Sequence, residues 1–193
     1  MNVTFETVLN DIKSSAKKTE ILPSILSVRE ELHRTYTIDP NSLHGILLEN
    51  TGGVIIEHWL RFYGTGALNF ITRNDLVPFD NIVIAEDILG GLFVCMENGH
   101  IGYFAPDCLE LEDMEIGLGR FFGWCLHRDT DTFYKDYRWE HWLDDLSDLD
   151  YDNGIAFYPF LWAEAKNLES RKRSVVSMAE LIGLEFEFLR QLG

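Results

Sequence analysis

Cysteine is scarce in this sequence, three in 193 residues, and there are only five prolines. A small, odd cysteine count excludes a disulfide scaffold, so reduced thiols in a cytoplasmic protein are expected. No apolar run approaches the roughly 20 residues that span a bilayer. The segment Met1 to Glu6 lacks the basic and apolar regions of a secretory signal. Bases are few as well, 16 against 32 acids, for a formal charge of −16. So anionic a chain repels phosphate at long range, which argues against nucleic acid as a partner. Catalytic signatures are missing too. There is no His-Glu-x-x-His, no Gly-x-Ser-x-Gly, and no glycine loop followed by Lys-Ser/Thr. A non-enzymatic protein without a cofactor is the expectation.

What is present is a core. Hydrophobic residues make up 46% of the chain and aromatics 13%, which excludes disorder. Apolar periodicity predicts helices over 5–18 and 23–35, with Pro23 in a first turn, and a short helix over 43–48 after Asp39-Pro40-Asn41-Ser42. The period then changes to two. Residues 54–63 read as one strand, with Val54, Ile56, His58, Leu60 and Phe62 on its apolar face and Trp59, Arg61 and Tyr63 facing outward. Short apolar runs at 82–85 and 91–96 read as central strands. Asn98-Gly99 marks a hairpin returning through 101–104, with a further strand at 108–112. Helices follow at 118–127 and about 130–148, then an aromatic extended segment at 155–162. A capping box at Ser177 opens a last helix. Helices flanking a block of strands predict one α+β domain over 1–193, an antiparallel sheet with 1–44 packing on it as N-terminal helices.

The candidate chemistry is sparse. His58, on the apolar face, reads as a core histidine. Glu57-His58-Trp59 recurs as Glu140-His141-Trp142, with one copy placed on a strand and the other on a helix. Cys95, His100, Cys108, Cys125 and His127 show no paired spacing for zinc. Asp148, Asp150 and Asp152 resemble the start of a calcium loop, but glycine falls at the seventh position and Pro159 at the twelfth. A small-ligand or catalytic site near Glu57, His58, Arg61 and Asp87 is the alternative to protein binding. For a protein-binding surface the candidates are Trp59, Arg61 and Tyr63, residue types enriched at interface hot spots.

Several strings carry a resemblance. Thr51 to Gly66, Ala85 to Phe93, Tyr103-Phe-Ala-Pro-Asp-Cys-Leu-Glu110, Phe133-Tyr134, Arg138-Trp139 and Phe157-Tyr-Pro-Phe-Leu-Trp162 are similar to the bacterial family called domain of unknown function 2625. The resemblance runs from about residue 45 onward, with Glu140 standing where a proline would be expected. A wider similarity is to the SUKH superfamily of Smi1/Knr4-like proteins. It rests on Asn50 to Gly53, Asp87 to Phe93, Asn98-Gly99 and Phe121-Phe122-Gly123-Trp124. That likeness implies a twisted antiparallel sheet flanked by helices. It also implies protein binding, often by immunity proteins that neutralise a toxin.

The charge is uneven. Residues 109–152 hold 13 acids and four bases, and Glu140 to Asp152 holds six acids with no Lys or Arg. Glu140, Asp144, Asp145 and Asp148 are therefore the expected docking point for a basic protein partner.

Overall fold

The computed structural model describes residues 3–164 and 167–192. Its centre is a seven-stranded antiparallel sheet whose spatial order follows the chain. The strands are β1 (Thr19–Leu22), β2 (Gly53–Ile56), β3 (Leu60–Tyr63), β4 (Val83–Asp87), β5 (Leu92–Cys95), β6 (His100–Phe104) and β7 (Leu111–Gly117). A separate ribbon pairs β8 (Asn153–Tyr158) with β9 (Lys172–Ser177). Helices cover both faces, as the expected α+β class requires.

On one face the core joins α1 (Phe5–Ser14), α3 (Leu43–Asn50) and α5 (Leu118–His127) to Val54, Phe62, Phe93 and the aromatics of 133–142. On the other, α2 (Leu26–Thr35), α4 (Phe70–Asn74) and α7 (Met178–Leu192) pack on Ile55, Tyr63, Leu92 and Phe104. Alternation along each strand feeds the two cores in turn. Gly99 takes φ +82 in the Asn-Gly hairpin, and the Ser177 hydroxyl accepts from the Glu180 amide to start α7.

Four local readings are corrected. The helix over 5–18 stops at Ser14, and Thr19–Leu22 leaves it to pair with β2 as an edge strand. The helix over 23–35 begins only at Leu26, because the Pro23 carbonyl is packed against Gly52 and Gly66. The strand over 54–63 is a hairpin, with Ile56 opposite Leu60 and the turn made by Glu57 and His58 at φ 55 and 56. His58 thus sits half-buried on a turn and not on an apolar face. The long helix over 130–148 is replaced by turns and α6 (Trp142–Asp145), because His141 takes a left-handed φ of 65. The first copy of Glu-His-Trp therefore makes a hairpin turn, and the second leads into α6, with His141 as its cap. Both bend the chain at a left-handed histidine, and their tryptophans meet edge to face at 5.1 Å.

No helix among the described residues is long and apolar enough to cross a membrane.

Candidate functional site

Glu86 and Asp87, adjacent at the end of β4, are both fully buried. Successive strand residues point to opposite faces, so each carboxylate belongs to a different core. Glu86 lies opposite Arg61 in the register and Asp87 opposite Leu60.

On the Glu86 face the chain gathers cations. Tyr63 donates its hydroxyl to Glu86 Oε2 at 2.8 Å, Arg73 of α4 lies 3.3 Å from the same oxygen, and Arg61 is 3.7 Å from Oε1. Asn69 caps α4 by accepting from the Ile71 and Thr72 amides, which brings Arg73 to this point. Burial pushes Glu86 up, while Arg73 and then Arg61 draw it back. Burial lowers Arg61, with Glu86 opposing that shift. Residues 150–153 accept from the arginines on the far side, while the Nε atoms of Arg61 and Arg73 make no hydrogen bond among the described residues. Arg61 donates to the carbonyls of Asn153 at 2.7 Å, Tyr151 at 3.0 Å and Asp150 at 3.3 Å. Arg73 donates to the Tyr151 carbonyl at 3.2 Å and to Asp152 Oδ1 at 3.1 Å.

Asp87 itself forms no ion pair with a described residue. Tyr103 and Tyr134 donate to Oδ2 at 2.8 and 3.1 Å, and the Leu89 and Gly91 amides donate to Oδ1 at 2.9 and 3.0 Å. Burial raises Asp87 and these four donors oppose it. Beyond the turn, Glu185 of α7 is 1% exposed with both carboxylate oxygens unpartnered. Its carboxyl is held well above the usual range, by burial first and by Asp87 second. Gly90, at φ +94, leaves it room, since a Cβ there would lie 2.3 Å from Glu185 Oε1.

Further along, Arg138 is enclosed by aromatic rings, its guanidinium carbon 4.2 Å from the centroid of Trp142, 4.9 Å from Trp59 and 5.1 Å from Tyr134. It also donates to Asp131 and lies 3.8 Å from Glu57, which Lys17 pairs at 3.2 Å. Cation–π contact of this kind fixes the loop that replaced the expected helix.

The sequence-expected sites are rearranged by this geometry. Trp59, Arg61 and Tyr63 do not form an outward face, since they are 0%, 2% and 1% exposed. The sheet separates Arg61 from Asp87, and Glu57 and His58 lie on the turn, so no common site joins the four. At the turn of 148–152 the Asp150 and Tyr151 carbonyls and Asp152 Oδ1 accept from the arginines. Among the described residues no group of three or more His, Cys, Asp or Glu is placed to hold a metal. Grooves border α1, α2, α5 and α7, and none of these is lined by Arg61, Glu86, Asp87 or Glu185.

Glu140, Asp144, Asp145 and Asp148 are exposed, as expected. Asp145 accepts from Trp139 Nε1 at 2.7 Å. Asp144, Asp148 and the neighbouring Asp150 take part in no ion pair among the described residues, and Leu143 beside them is 48% exposed.

Sequence reasoning missed Glu86, Arg73 and Glu185 as members of the polar centre. A charged pair abutting an apolar strand was a signal for the first. For Glu185, spacing from Leu181 and Ile182 placed it on the buried side of its helix.

The chain is 31% identical over 195 residues to an Escherichia coli K12 protein described as putative uncharacterized protein YbfG, covering 93% of this chain and 89% of that protein. It is 24% identical over 187 residues to an uncharacterized protein of Haemophilus influenzae, covering 86% of this chain and 82% of that one. No solved structure gives a significant match. Residues 2–181 match the family described as protein of unknown function DUF2625, and the chain belongs to that family.

Proposed function

We propose that this protein is a non-enzymatic protein-binding domain whose exposed acidic segment, Glu140 to Asp150, docks a basic surface on a protein partner. One observation carries the reading: Asp144, Asp148 and Asp150 of this segment are exposed and form no ion pair with a described residue, whereas Glu86 is buried against Arg61 and Arg73. Such a patch acts on what comes within about 8 Å at physiological salt. The SUKH-like pattern in the sequence supports a finer reading, neutralisation of a toxin in the manner of an immunity protein.

Affinity capture from the native host, repeated across a salt series, tests it. A partner retained at low salt and released at high salt is expected, with loss of capture in the double variant Asp144→Lys/Asp148→Lys. Recovery of no protein at low salt, or equal recovery by the variant, overturns the proposal.

A further inference from the structure

Helix α5 carries a stripe of the opposite charge. Arg120 and Trp124 of the helix and Arg128, the residue that caps its C-terminus, follow one another at intervals of four, which aligns them along one side over about 12 Å. Both arginines are exposed and neither forms an ion pair with a described residue, although acids outnumber bases two to one. Between them Trp124 is half-buried, 5.4 Å from Phe133 and edge to face with it. Ile116 of the edge strand β7 and Trp124 line a trough of two adjoining grooves open to solvent, one with Arg120 and Arg128, the other with Met114, Phe133, Thr132 and the acid Asp129.

A trough of this chemistry fits an acidic surface bearing one apolar knob, and the chain displays such a surface itself. Leu143 stands half-exposed on α6 beside Glu140, Asp144 and Asp148. We infer that a second copy of this chain occupies the trough, Leu143 of each copy seated on Trp124 of the other, with Asp144 and Asp148 facing Arg120 and Arg128. Exchange in both directions closes a two-fold pair from two identical contacts. The net charge of −16 on each copy opposes approach at long range, and the local pairing overcomes it within a Debye length. The inference rests on the reading of the acidic segment as a protein-binding surface and names its partner.

Sedimentation equilibrium of the full chain over a concentration series tests it. The wild type is expected to move from monomer to dimer mass. Arg120→Glu/Arg128→Glu alone, and Asp144→Arg/Asp148→Arg alone, should each weaken association tenfold or more, on the order of what like charges cost at an interface. An equimolar mixture of the two variants should restore the dimer, because both contacts then pair arginine with acid. Wild-type monomer at every concentration overturns the inference, as does a dimer indifferent to both reversals or a mixture that stays monomeric. A monomeric wild type that still captures a basic host protein removes the second copy and leaves the protein-binding reading standing. An acidic host protein lost only from the Arg120→Glu/Arg128→Glu variant assigns the trough to a different chain. Circular dichroism establishes that each variant is folded, and Leu143→Glu, read in the same way, replaces any that is not.

Discussion

Glu86 and Asp87 are neighbours on one strand, equally buried, and kept in the protein by different means. Glu86 has two guanidiniums and a tyrosine. Asp87 has two tyrosines and two backbone amides, with no cation. The difference follows from what each face recruits. The Glu86 face must also hold a distant segment, and arginine supplies several donors in a rigid fork for a row of carbonyls. The Asp87 face has only to fix a tight turn, which backbone amides do. A buried ion pair is weak evidence of stability in itself, so here its consequence is position: it fixes where residues 150–153 lie.

Arg61→Met breaks the comparison most strongly. It leaves Glu86 with one cation and the Asp150 and Asn153 carbonyls without the donor Arg61 gave them, and should cost about 3–5 kcal/mol, read as a lower urea midpoint at unchanged slope. Asp87→Asn keeps the shape but sets amide hydrogens against existing donors. A loss of about 1–3 kcal/mol is expected, measured in the same way. Glu185→Met sharpens the contrast from the opposite side, because this carboxyl has neither kind of partner. Removing it should stabilise by about 1–2 kcal/mol at pH 7. The sign follows from linkage. A carboxyl whose folded pKa is raised contributes its full stability below its unfolded pKa of about 4.3, and loses it as pH rises through the folded value. The advantage of Glu185→Met should therefore be smallest near pH 4 and grow with pH, in thermal melts over a pH series. A gain independent of pH would show that the carboxyl does not titrate between the two states.

Much of the fold was legible in the sequence, because strands of alternating or continuous hydrophobicity and a helix such as 118–127 are local patterns. The Asn98-Gly99 turn and the Ser177 cap were read from chemistry that acts within four residues. What escaped depended on distant partners. The alternation over 54–63 concealed the reversal at Glu57-His58, because non-glycine residues at positive φ leave little trace in composition. Four aromatics at helical spacing in 134–142 suggested a helix, yet Arg138 binds the rings of Trp59 and Trp142 and the chain turns to let it. The exposure of Glu140, Asp144, Asp145 and Asp148 follows from composition alone, since unpaired carboxylates stay in water. The polar centre could not be assembled, because Arg61 and Arg73 meet their acceptors only through the fold.

A chain emerging from the ribosome meets these contacts in order. Each strand of the sheet finds the preceding one already made, and from β4 to β7 pairing can proceed hairpin by hairpin across short connections. Arg61 leaves the tunnel 89 to 92 residues ahead of the carbonyls that hold it, an interval of about 5–20 s at ordinary rates of synthesis. Until then its guanidinium has only water for those bonds. Residues 150–153 act as a stopper fitted late: their arrival gives the waiting arginines their acceptors, and α7 then closes over the same face.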